Sequence, residues 1–99
     1  MGEDNKKKLY NILTLAKKII FNIYSPYGNV GASGVFDDVT IKRTPASIII
    51  SEIGKEDVNV ILSVTNEAEV KWGIEDETVT YVDISYKNVP IAISLVIMH

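Results

Sequence analysis

From Val35 to Met98 the chain is a series of short apolar runs cut by polar turns, and most of the runs alternate apolar with polar residues. Alternation with a period of two puts one set of side chains on each face of a strand. Val58, Val60, Leu62 and Val64 follow it, as do Val82, Ile84 and Tyr86, and then Val89, Ile91, Ile93, Leu95 and Ile97. Ile48-Ile49-Ile50 is continuous instead, and Val70-Lys71-Trp72 is short. Gly54-Lys55-Glu56-Asp57, Asn66-Glu67, Glu75-Asp76-Glu77 and Lys87-Asn88 read as the turns between them. Connections this short favour antiparallel pairing, because parallel strands need long crossovers.

Ahead of this tract the period changes. Leu9, Ile12, Leu13, Ala16, Ile19, Ile20, Ile23 and Tyr24 recur at helical spacing, so a helix is expected over residues 5–24. Asp4 is placed to cap it, and Pro26 and Gly28 to stop it. Residues 25–34 hold Gly28, Gly31 and Gly34 and read as a glycine-rich loop. The expected fold is α+β in a single domain, 1–99. One N-terminal amphipathic helix (5–24) packs on an antiparallel β-meander sheet of five or six strands (35–99), joined by the loop 25–34.

One helix covers one face of such a sheet. Yet Ile49, Ile61, Val79, Tyr81, Ala92, Val96 and Met98 fall on or near the opposite parity from the core set. A contiguous apolar patch of this kind marks an interaction surface. Ile61, Val79, Tyr81, Val96 and Met98 are therefore the expected interface residues, and the expected partner is the chain itself or another protein. The competing expectation is a curled sheet that buries both faces within one chain.

Reactive chemistry is sparse. There is no Cys, the only His is His99, and the only Arg is Arg43. Thiolate catalysis and Cys-ligated metal sites are thereby excluded, and the usual acid–base and nucleophilic routes are nearly closed. No catalytic residue, metal or cofactor is expected. Residues 1–24 carry five Lys against two carboxylates, whereas the remainder carries five basic residues against eleven acidic ones. An acidic sheet repels phosphates, so nucleic acid is not an expected partner. No run reaches the apolar length of a membrane span, and a cytoplasmic location is the expectation.

The best ligand candidate is the loop itself. Ser25, Gly28, Gly31, Ser33 and Gly34 could present hydroxyls and backbone N–H groups to a small molecule or an anion. The order is unlike a phosphate loop, which follows a strand and opens a helix. A plain connector is the competing reading. Asp37, Asp38 and the 75–77 acids read either as oxygen ligands for a hard cation or as solvated turn carboxylates. Asp83 would act as a base only if buried. Trp72, Tyr81 and Tyr86 form either an aromatic patch or ordinary packing.

Overall fold

The structure, a computed structural model, describes residues 1–25 and 31–99, apart from the side chains of residues 74 and 75. Among these residues the chain forms helix α1 (Glu3–Thr14) and strands β1 (Lys18–Tyr24), β2 (Gly31–Asp37), β3 (Val39–Arg43), β4 (Ser47–Glu52), β5 (Lys55–Ser63), β6 (Ala68–Glu75), β7 (Val79–Tyr86) and β8 (Ala92–Met98). The strands build two antiparallel sheets, a five-stranded one in the order β2-β1-β8-β7-β6 and a three-stranded one in the order β3-β4-β5. The antiparallel strands and the N-terminal helix agree with the sequence reading. The single meander does not, because the tract divides between two packed sheets.

The helix ends ten residues before its expected limit, at Thr14 rather than 24. The reason is that Lys18–Tyr24 satisfies two periods at once. Ile19, Ile20, Phe21, Ile23 and Tyr24 are β-branched or aromatic residues that suit a pleated surface. As a strand the segment pairs with β2 on one side and β8 on the other, so both rows of its backbone groups are used. The Lys17 N–H donates to Met98 O at 2.8 Å and sets the start of that pairing. Leu15, at the turn, is 74% exposed.

The helix start differs too. Gly2 rather than Asp4 occupies the cap position, without a side-chain hydrogen bond. Glu3 and Asp4 instead lie in the first turn, where negative charge suits the helix dipole.

The loop expected over 25–34 is shorter than the sequence suggests. Gly31, Ser33 and Gly34 belong to β2 and pair with Tyr24, Asn22 and Phe21. A Cβ on Gly34 would come within 2.7 Å of the Phe21 ring, and that ring stacks on Phe36 at 5.3 Å. The glycine serves a close cross-strand contact. Pro26 and Gly28 lie outside the described residues.

Asp38 carries the chain from one sheet to the other. Its φ of 48° lies in the left-handed region, which Asp tolerates better than most residues. Its carbonyl accepts the Ile53 N–H at 3.0 Å, and Glu52 Oε1 accepts the Asp37 N–H at 2.9 Å, so this corner is bonded to the end of β4.

The core lies between the sheets. Ile19, Val82, Ile84, Leu95 and Ile97 from the larger sheet meet Ile48, Ile50 and Leu62 from the smaller one. The helix lies alongside β3 and buries Leu9 and Leu13 completely. Asn5 Oδ1 accepts the Trp72 indole N–H at 3.2 Å, and the Lys8 ammonium sits 4.2 Å over the same ring. On the other side the Arg43 guanidinium lies over Tyr10. The helix thus bridges β6 of one sheet and β3 of the other. β5 crosses the larger sheet from β2, where Val58 lies near Val35 and Phe36, to β7, where Ser63 O accepts the Tyr86 hydroxyl at 3.0 Å. No described helix is long and apolar enough to cross a membrane.

Leu13→Ala should therefore lower the unfolding free energy by about 2–5 kcal/mol, as expected for a fully buried leucine. Urea titration followed by far-UV circular dichroism measures this. A loss of less than ~0.5 kcal/mol, the range of surface substitutions, would mean that the helix does not plug the core.

Candidate functional site

Strand register decides which side chains share the outer face of the larger sheet. Ile20 stands opposite Val35 of β2 and Val96 of β8, and Val96 stands opposite Tyr81 of β7. These four side chains form one apolar row across four adjacent strands. Lys18, Met98 and Val79 form the next row, with Asp37 beyond Lys18. On the other side of the apolar row, Ser33, Asn22, Ser94, Asp83 and Lys71 make a polar one. Val35 is 49% exposed and Tyr81 46%, while Ile20, Val79, Val96 and Met98 are half-buried, so this face is left partly open. Gly73 of β6 lies against the base of Tyr81, where a Cβ would meet the Tyr81 Cβ at 3.0 Å.

Four of the five expected interface residues, Val79, Tyr81, Val96 and Met98, thus lie together. Ile61 is separate. It belongs to the smaller sheet, where it stands opposite Ile49, and it is 59% exposed. Its neighbours are Ile23, Val89, Ile91 and Ile93, around a groove of 440 Å³ at the end of the larger sheet. A second depression of 310 Å³ adjoins it through Ile23 and Ile91 and is bordered by Tyr24, Ser25, Gly31 and Pro90. Of the expected ligand residues, Ser25 and Gly31 border this depression. Ser33 lies on the outer face, Gly34 packs on Phe21, and Gly28 is outside the described residues. The signal missed in the sequence was the β7–β8 connection, whose Val89, Pro90 and Ile91 supply much of the apolar lining.

The acidic positions serve turns and pairs. Asp76 Oδ1 accepts the N–H groups of Thr78 (2.7 Å) and Val79 (2.8 Å) and the Thr78 hydroxyl (2.8 Å). The Thr78 N–H, followed by its hydroxyl and the Val79 N–H, holds the Asp76 carboxyl below the usual aspartate range. The Asp37 N–H does the same for Glu52, with Lys55 helping. The Thr65 hydroxyl does so for Glu67. Asp37 pairs with Lys18 at 3.7 Å. Asp83, a candidate base only if buried, is exposed on the outer face, opposite Lys71 and Ser94. Among the described residues no group of three His, Cys, Asp or Glu side chains is placed to hold a metal ion.

The aromatic residues do not assemble either. Trp72 faces the helix, Tyr81 faces outward, and Tyr86 reaches Ser63 across the sandwich. Burial pushes the Tyr86 phenol up. The His99 ring bonds the Thr80 hydroxyl at 2.9 Å.

Compared with protein-family models, curated proteins and solved structures, the chain finds no match.

Asp76, Glu52 and Glu67 all have folded-state values below their unfolded ones. Their stabilisation is complete above the ordinary carboxylate range and is lost as pH falls through the lowered folded values. Thermal stability should fall on the acid side, below about pH 4. Asp76→Asn keeps the acceptor oxygen but not the titration, so its stability curve should descend less steeply there. An unchanged acid slope in this variant would contradict the assigned role of Asp76.

Proposed function

We propose that this chain is a non-catalytic, self-associating interaction module. In this reading the outer face of its five-stranded sheet meets the same face of a second copy. The observation that carries it is the in-register row of Val35, Ile20, Val96 and Tyr81, bordered by Val79 and Met98. Side chains in such a row would interdigitate with an opposing sheet about 10 Å away. A two-fold axis through the row would set it against itself, as a closed dimer requires.

Charge supports the same partner. Lys18, Lys71 and Lys87 stand on or beside this face with Asp37, Asp83 and Glu69. Lys18 pairs with Asp37, and Lys87 pairs with Glu69 at 3.4 Å. The face is balanced although the whole chain carries −3, so a second copy meets little repulsion. The alternative, a small-molecule or anion site in the 25–34 loop, has less support. Two of its five residues border the nearby depression, and among the described residues no Lys or Arg lines it.

Val96→Lys or Tyr81→Lys should raise the dimer dissociation constant by on the order of 100-fold, since each puts a charge into the centre of the buried patch. Ile61→Lys, on the other sheet, should leave it unchanged. Sedimentation velocity over a dilution series measures all three. Equal effects at Ile61 and Val96, or none at Val96 and Tyr81, would remove the sheet face from the interface.

A further inference from the structure

The ladder between β4 and β5 fixes where the backbone groups of β5 point. Val64 N–H donates to Ala46 O at 2.9 Å, and the register continues through Leu62 with Ile48 and Val60 with Ile50. In an antiparallel pair, hydrogen-bonded positions recur every second residue. Val60, Leu62 and Val64 therefore bond to β4, while Asn59, Ile61 and Ser63 turn their N–H and C=O groups away from it. Ser63 O accepts from Tyr86. Asn59 and Ile61 are left as an open edge, since among the described residues β5 pairs only with β4.

Edges like this are ordinarily blunted by charge. Lys55, Glu56 and Asp57 do so over the first part of β5, but Val58–Ser63 carries no charge. Beside that uncharged part lies the apolar groove floored by Ile23 and Ile93. Both residues face inward on the larger sheet, yet Ile23 is only half-buried because β5 does not reach over it.

We propose that β5 takes up an extended segment of a partner protein as an additional antiparallel strand. The backbone of that segment bonds to Asn59 and Ile61. Its alternate side chains, on the same face as Val60 and Leu62, are branched and apolar and fill the groove over Ile23 and Ile93. The C-terminal end of the segment carries Lys or Arg. There it passes a corner where Asp38, Glu52, Glu56 and Asp57 outnumber Lys55. A second copy is the poorer occupant, because its own β5 has the same acidic start and no basic residue in Val58–Ser63 to meet it. This edge is separate from the outer sheet face, so the two proposals stand or fall independently.

The probe is an end-capped fluorescent peptide of alternating Val and Thr ending in a Lys pair. Anisotropy should show saturable binding, and amide hydrogen exchange should slow at Asn59 and Ile61. Asn59→Pro removes an N–H that serves no bond to β4, so it should weaken binding at least ~10-fold while keeping the melting temperature. Should that variant fail to fold, the double charge reversal Glu56→Lys with Asp57→Lys still decides. It should weaken the Lys-ended peptide by on the order of 10-fold and favour a Glu-ended one. Val96→Lys should bind the peptide as the unaltered chain does. Absence of saturable binding, or binding indifferent to the edge variants, overturns the proposal. Protection of Asn59 and Ile61 that grows with protein concentration in the absence of peptide would also overturn it, in favour of a second copy.

Discussion

Three strands are too few to keep the inner face of a five-stranded sheet from water, and the rest of the structure follows from that mismatch. Buried apolar surface contributes about 25 cal/mol per Å², so an uncovered inner face is a standing loss of stability. On one side of the small sheet the shortfall is met by α1, which lies beside β3 and inserts Leu9 and Leu13. Trp72 and Tyr10, each facing a cation, tie the helix to both sheets. On the other side nothing among the described residues lies beyond β5, and the grooves around Ile23, Ile61 and Ile91 result.

The two exposed apolar features have different physical origins. The outer row from Val35 to Tyr81 exists because α1 and strands β3, β4 and β5 pack on the inner face. Nothing among the described residues is left to cover the outside. The β5 edge exists because the small sheet stops one strand short. A row of side chains suits a flat, charge-balanced surface such as a second copy of itself. An open ladder beside a groove suits an extended backbone instead. Ile61 belongs with the second feature although its alternation looks the same as that of Val96 in the sequence.

That example marks the limit of what the sequence makes legible. Alternation correctly marked β5, β7 and β8 as strands and separated the inward set Val82, Ile84, Leu95 and Ile97 from the outward set Tyr81, Val96 and Met98. Parity says which face of its own strand a residue occupies but not which sheet that strand joins. The break at Asp38, a single residue with positive φ, carries no turn motif strong enough to announce a change of sheet. The segment 18–24 is ambiguous for a related reason. A nearly continuous run of Ile, Phe and Tyr fits both periods, and only pairing with β2 and β8 selects the strand. Gly34 was legible as special but not as to purpose, since its need for space comes from Phe21 across the ladder.

The shortage of reactive side chains fits the same picture. Asp76 and Glu52 accept backbone N–H groups, Asp37 pairs with Lys18, and His99 bonds Thr80. In the proposed reading, what the fold leaves outward is surface for contact. The most direct measurement is the solution mass of the unaltered chain by light scattering across a wide range of concentrations. The account predicts a species of twice the 11.0 kDa chain mass that dissociates on dilution. A mass of 11.0 kDa at every concentration would contradict self-association through the outer face.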